Sequence, residues 1–273
     1  MQQRRVFFIS DSTGITAESL GHSLLTQFEN VTFNTETIPY VDTAKKAHAV
    51  VEKINHAYQQ DQIKPLVFAT LVRPEIQAII QQSQGQLFDF FHTFLKPLEQ
   101  ELGSQSTYSV GKSHSMINFE SYKHRIDAVN FALQHDDGIK VNHYHRADVI
   151  LVGVSRCGKT PTCLYLALQF GILAANYPLT DEELHHLALP ASLKPHKAKL
   201  FGLVIDPERL QGIRSERRPN SQYSSLEQCR REVNEAKTIY QREQLPCLNT
   251  TYYSIEEIAT KILAKTQIER RVG

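Results

Sequence analysis

The sequence predicts an α/β protein of two units, each built on a parallel sheet. Three observations lead there. Short apolar runs alternate with longer segments of helical periodicity, the pattern of repeated strand–helix units. One run, Ala147-Asp148-Val149-Ile150-Leu151-Val152, leads straight into a glycine- and lysine-bearing turn and then a helix. Between the halves, residues 103–118 lose all periodicity, and Ser, Gln, Thr, Gly and His dominate. The expected layout is a Rossmann-like α/β domain over 1–104, a connecting loop and helix over 105–146, and a P-loop-kinase-like α/β domain over 147–273.

In the first unit, Val6–Ile9 is a strand candidate and Thr16 to Phe28 a helix. Phe33–Ile38 reads as a weaker strand, and Asp42 or Thr43 can cap a helix reaching about Tyr58. Pro65–Thr70 is a strand, a helix follows from Pro74 through Ile80, and Leu87–Phe91 is a fourth strand. After the aperiodic stretch, Ile126, Val129, Asn130 and Leu133 mark a helix that ends at Asp136-Asp137-Gly138. The second unit opens with the strand ending at Val152, followed by a helix over Thr162–Phe170. Leu200–Ile205 is a buried strand, and Asp206-Pro207 sets a cap residue before a proline suited to a first helical turn. Thr180–Glu183, Ser225–Gln228 and Ser254–Glu257 have the form of capping boxes.

Bulk composition excludes several classes. The 273 residues are 41% apolar, enough to pack substantial cores. Thirty basic residues face twenty-nine acidic ones, so no whole-chain field would hold nucleic acid or an anionic membrane. Cys157, Cys163, Cys229 and Cys247 form no CxxC pair, which argues for a reduced, cytoplasmic chain. The apolar run Val6–Ile9 is cut by Ser10-Asp11-Ser12, too soon for a signal peptide, and no run approaches the ~18 residues of a membrane span.

The chemistry is concentrated in Gly153-Val154-Ser155-Arg156-Cys157-Gly158-Lys159-Thr160, which satisfies G-x-x-x-x-G-K-[ST] in full. Glycines let the backbone turn tightly and approach phosphate oxygens. Successive N–H groups and the positive end of the helix then form an anion nest. Lys159 adds a point charge, and Thr160 a hydroxyl for an accompanying magnesium ion. Gly111-Lys112-Ser113 lacks the first glycine and follows no strand, so it is set aside.

Companion residues are less specific. Asp206 at a strand end could orient magnesium, or simply cap the helix at Pro207. Arg209, Arg214, Arg217 and Arg218, near Ser221 and Tyr223, could reach a transferring phosphoryl group or form a solvated helix face. Ser10-Asp11-Ser12-Thr13-Gly14 closes a strand and opens a helix, where open α/β sheets bind ligands, though an ordinary cap looks the same. Asp136 and Asp137 could supply a general base. The scattered histidines, His143-Tyr144-His145 included, make a poor metal pattern, and no direct protein cage for a metal is expected. The catalytic-loop signatures of eukaryotic-type protein kinases are missing; His145-Arg146-Ala147-Asp148 runs into a strand.

A family resemblance emerges from several segments in order. These are Ser10–Gly14 with Thr16-Ala17-Glu18, Arg125–Val129 leading to His135-Asp136-Asp137-Gly138, and Gly153–Thr160 followed by Pro161. Asp206–Leu210 with Ile213-Arg214, and Ser254–Ala259, complete the set. The series resembles the pyruvate phosphate dikinase regulatory protein family, most closely its phosphoenolpyruvate synthase (pyruvate, water dikinase) regulators. The resemblance implies a bifunctional serine/threonine kinase and phosphorylase. It would inactivate the dikinase by phosphorylating a threonine with ADP as donor, and reverse this with inorganic phosphate, releasing pyrophosphate. It places the ADP site on Gly153 to Thr160. The hydroxyl's base is then sought among Asp11, Asp136 and Asp137, and the contacts to inorganic phosphate among Ser12, Thr13, Arg209, Arg214 and Arg217. Rival readings are a regulator of pyruvate, phosphate dikinase, a small-molecule P-loop kinase, and a nucleotide-gated binding module without catalysis. A homodimer is compatible with the sequence.

Overall fold

The computed structural model describes residues 2–109 and 119–272. The chain divides into two compact units, Met1–Ser115 and Met116–Gly273. Gly111-Lys112-Ser113 and His114 lie outside the described residues.

The first unit alternates strand and helix: β1 (Gln2–Ser10), α1 (Ile15–Leu25), β2 (Val31–Ile38), α2 (Ala44–Asp61), β3 (Leu66–Thr70), α3 (Pro74–Ile80), β4 (Gln86–Asp89) and α4 (Phe90–Leu102). Its sheet runs β2-β1-β3-β4 with every pair parallel. The twofold strand period sends successive β1 residues to opposite faces. Phe7 and Ile9 pack with Val50, Ile54, Ile76 and Ile80 on one face. Val6 and Phe8 pack with Ala17, Leu25 and Phe68 on the other. A strand covered on both faces reads as a continuous apolar run, and each such side chain contributes about 1.5–3 kcal/mol by burial.

The expected fourth strand, Leu87–Phe91, differs from what forms. Asp89 caps a helix there, its Oδ1 accepting the His92 N–H at 2.9 Å, so the chain leaves β4 and Phe90 opens α4. Helix α4 lies outside the elements that the sequence predicts. Thr43, not Asp42, caps α2, accepting the Lys46 N–H at 3.4 Å.

The second unit contains α5 (Phe119–Gln134), 3-10 turns at Asp136–Gly138 and Val141–Arg146, β5 (Val149–Gly153), α6 (Lys159–Phe170) and β6 (Ala174–Pro178). There follow α7 (Asp181–His186), β7 (Leu200–Val204), α8 (Pro207–Arg217), α9 (Leu226–Arg242), β8 (Cys247–Asn249) and α10 (Ile255–Thr266). Its sheet, β6-β5-β7-β8, is again wholly parallel. Helix α5 packs along α6 and so lies with this unit. Strands β6 and β8 went unmarked in the sequence. Thr180 and Ser254 form reciprocal capping boxes, while Ser225 accepts the Gln228 N–H at 3.2 Å. All four cysteines are free thiols. Among the described residues no helix is long and apolar enough to cross a membrane.

The architecture is thus α/β with two parallel four-stranded sheets, as the alternation predicted. In each sheet the first strand of the unit lies inside, with its successors added on opposite sides. The crevice outside the carboxyl end of such a strand is where open α/β sheets bind ligands. In the second unit that strand is β5, and its carboxyl end is Gly153.

Candidate functional site

The loop leaving β5 is shaped by two glycines with different duties. Gly153 is packed so closely that a Cβ would meet the Cys157 Sγ at 2.7 Å and the Leu203 carbonyl oxygen at 2.8 Å. Gly158 has open space around its Cα but a φ of +97°, which side-chain-bearing residues resist. It is the N-cap of α6. Between them Arg156 also has a positive φ, +74°. The loop is tied down from behind, where Thr250, just past β8, donates from Oγ1 to the Cys157 carbonyl at 3.2 Å. Burial pushes the Cys157 thiol above its usual range.

Lys159 opens α6 and is almost fully buried, with Nζ donating to the Val154 carbonyl at 2.9 Å. Next to it the Thr160 hydroxyl donates to Asp136 Oδ1 at 2.8 Å. The same oxygen accepts from the Asn176 amide, on β6. The Asn176 side-chain Oδ1 in turn accepts the Asp137 N–H at 3.1 Å. Asn176 thereby fastens the turn after α5 to the head of α6. A cavity of about 480 Å³ opens over these groups, lined by Asp136, Asp137, Arg156, Lys159, Thr160 and Arg217 among others. That volume lies within the range of small-ligand pockets. Just before the turn, His135 is buried with Nδ1 2.7 Å from the Phe131 carbonyl. Burial holds its imidazole below the ordinary value.

The arginines of α8 divide. Arg217 reaches the cavity. Arg214, expected as a candidate phosphate contact, is instead wholly buried. Its Nη2 donates to Glu232 Oε2 at 2.6 Å and to the Ser155 carbonyl at 3.1 Å. Its Nη1 donates to Glu232 Oε1 and to the Tyr223 carbonyl, each at 3.1 Å. The guanidinium lies 4.2 Å from the centre of the Tyr223 ring. Burial opposes this charge, but the Glu232 hydrogen bonds and negative charge outweigh it and hold the guanidinium above its usual range. Arg209 is exposed on α8 and is not among the cavity-lining residues.

Asp206 is engaged as the α8 cap, its Oδ1 accepting the Glu208 and Arg209 N–H groups at 3.0 and 3.3 Å. It too does not line the cavity. Asp11, Ser12 and Thr13 belong to the first unit. There Asp11 Oδ2 accepts the Val72 and Arg73 N–H groups at 2.7 and 3.2 Å, linking the carboxyl ends of β1 and β3. Ser12 donates its N–H to Ser10 Oγ at 3.1 Å.

Sequence reasoning passed over Asn176 and Glu232. Glu232 sits in an ordinary charged helix pattern and carried no signal. Asn176 did: an amide inside Ala174-Ala175-Asn176-Tyr177 is costly to bury without partners.

A family described as kinase/pyrophosphorylase matches residues 6–263. The chain belongs to the kinase/pyrophosphorylase family. Close relatives bear this out across the whole length. A Pseudomonas savastanoi pv. phaseolicola protein is 57% identical over 269 residues, 98% of this chain and 99% of its own. One from Legionella pneumophila (strain Corby) is 57% identical over 270 residues, 99% of this chain and all of its own. One from Marinobacter nauticus is 58% identical over 268 residues, 98% and 99% of the two chains. All three are provisionally named phosphoenolpyruvate synthase regulatory protein.

Proposed function

We propose that this kinase/pyrophosphorylase chain regulates phosphoenolpyruvate synthase by moving a phosphoryl group on and off a threonine of that enzyme. The reading rests on one arrangement above all: the loop and helix start at Gly153–Thr160 share a cavity with two carboxylates and an arginine. The names of the relatives supply the partner. Such a partner and the unpaired thiols support a cytoplasmic location.

In the forward direction the threonine oxygen bonds to the β-phosphorus of ADP. The bridging oxygen–β-phosphorus bond breaks, AMP leaves with that oxygen, and the hydroxyl proton passes to a carboxylate. In reverse, an oxygen of inorganic phosphate attacks the phosphothreonine phosphorus. The threonine oxygen leaves and takes up a proton, and pyrophosphate forms. Both directions need a reacting phosphorus held still and an acceptor in line with it. Backbone N–H groups of the loop and the α6 terminus grip the diphosphate. Lys159 keeps one donor on Val154 and offers two more to phosphate oxygens. Asp137, at the cavity wall and free of the Thr160 hydroxyl, suits the proton-accepting role better than Asp136. Arg217 and Arg156 suit the acceptor phosphate.

Magnesium fits the donors present. A hydroxyl and a carboxylate oxygen stand 2.8 Å apart at Thr160 and Asp136, which suits a hard cation. Among the described residues no group of three or more acidic, histidine or cysteine side chains is gathered to hold a metal. The ion would therefore be carried largely by phosphate oxygens and water, neutralising charge on the transferring group.

The test mixes the protein with phosphoenolpyruvate synthase and ADP labelled at the β-phosphate. Label should reach a threonine of the synthase, and added phosphate should then release labelled pyrophosphate. Label on a small metabolite without the synthase, or inhibition of the synthase without any label transferred, would overturn the reading.

A further inference from the structure

Arg214 draws together two elements of the site that are distant in sequence, and its chemistry is unusual for its burial. A fully buried arginine needs its charge answered and most of its donors filled, and here the Nη groups are engaged while Nε has no hydrogen-bond partner among the described residues. Glu232 on α9 answers the charge through both carboxylate oxygens. Two further bonds go to backbone carbonyls, those of Tyr223 and Ser155. Ser155 is in the middle of the phosphate loop, and its own hydroxyl is 2.9 Å from the Tyr223 hydroxyl. One loop residue is therefore gripped twice, once through its carbonyl and once through its side chain, by groups that α8, α9 and the 3-10 turn at Gln222–Ser224 bring together. The neighbours of Arg214 on α8, Ile213 and Arg217, line the cavity itself.

We propose that Arg214, held by Glu232 and stacked on Tyr223, is a positioning residue that fixes the phosphate loop at Ser155 and sets the register of α8 that delivers Arg217 to the cavity. The inference rests on the functional reading above. It differs from ordinary fold stabilisation in one respect: the Ser155 carbonyl is a loop group that needs no partner for the helices to pack. A loop carbonyl pinned on one side keeps the loop's N–H groups turned to the other, where a diphosphate would lie.

The test separates folding from positioning. Arg214→Met alone leaves Glu232 buried and unanswered, and its melting temperature should fall. Pairing it with Glu232→Gln removes both charges and should restore most of that loss, since neutral pairs often replace buried ion pairs at little cost. The restored double variant should still bind ADP about tenfold more weakly than wild type, and amides of residues 153–160 should exchange hydrogen faster while β5 stays protected. Label transfer to phosphoenolpyruvate synthase should fall with kcat reduced more than KM for the synthase. Tyr223→Phe keeps the ring under the guanidinium but removes the Ser155 contact, and should weaken ADP binding about threefold while lowering the melting temperature by no more than a few degrees. A restored double variant with wild-type ADP affinity and unchanged loop exchange would overturn the proposal. Should the double variant fail to fold, wild-type ADP binding by Tyr223→Phe overturns it and weakened binding supports it. A wild-type protein that moves no label defeats the functional reading instead, and leaves the exchange comparison standing.

Discussion

The two loop glycines are expected to fail in different ways when replaced by alanine, and the difference can be worked from their surroundings. At Gly153 the new methyl would lie 2.7 Å from the Cys157 Sγ and 2.8 Å from the Leu203 carbonyl oxygen. The sulfur belongs to a side chain and can turn. The oxygen is backbone of β7, which pairs with β5, so the strands themselves must separate by several tenths of an ångström. Overpacking of this kind costs about 1–3 kcal/mol. At Gly158 no atom lies within 4 Å of the added methyl, but φ is +97°, and the left-handed region costs a side-chain-bearing residue about 1–2 kcal/mol. Thermal melts of both variants should drop by a few degrees, at about 2–4 °C per kcal/mol. The discriminating arm adds Cys157→Ala to each. With Gly153→Ala it should recover less than half of the loss, because the carbonyl remains; with Gly158→Ala it should recover none. Full recovery of the Gly153 variant would refute the share assigned to the Leu203 carbonyl, and a Gly153→Ala protein as stable as wild type would refute the steric account altogether.

Further outcomes are expected around the cavity. Lys159→Ala should abolish calorimetrically detectable ADP binding and lower label transfer by about a hundredfold or more, with the melting temperature falling by a few degrees as the Val154 carbonyl loses its donor. Asp136→Ala strands the Thr160 hydroxyl and the Asn176 amide, so both label transfer and stability should fall; Asn176→Ala should reproduce the stability loss, by about 1–3 kcal/mol in urea titrations. His135 predicts a pH dependence of stability. Burial depresses its pKa in the folded protein, so the folded ring stays neutral where the unfolded chain takes up a proton. Its stabilising contribution is then complete above about pH 6.5 and declines as the pH falls below it, by at most about 1.4 kcal/mol per pH unit, until the folded ring itself titrates. Urea midpoints of wild type and His135→Gln across that window check this, with a flatter profile for the variant.

What the sequence made legible was whatever is written locally. The loop at Gly153–Thr160 needs glycines, a lysine and a hydroxyl in fixed order, so its residues name it. Asp136 and Asp137 were visible as a helix end, and the capping residues Thr180 and Ser254 as local hydrogen-bond patterns. Helix α4 was hidden because Phe90 and Phe91 continue the apolar run of β4, and because Pro97 interrupts its interior. Strand β8 is only three residues long, too short for any periodicity. The duties of Arg214, Asn176 and Asp11 were illegible for another reason. Their partners Glu232, Asp136 and Val72 are 18, 40 and 61 residues away in the chain, and pairings of that kind exist only once the sheets have formed.

Arg156 carries a consequence for how such a protein can change. It holds a left-handed backbone angle that glycine would adopt freely, and it does so at the rim of the cavity. Replacing it with glycine would ease the backbone while stripping a cation from the pocket, so one substitution alters backbone strain and cavity charge together.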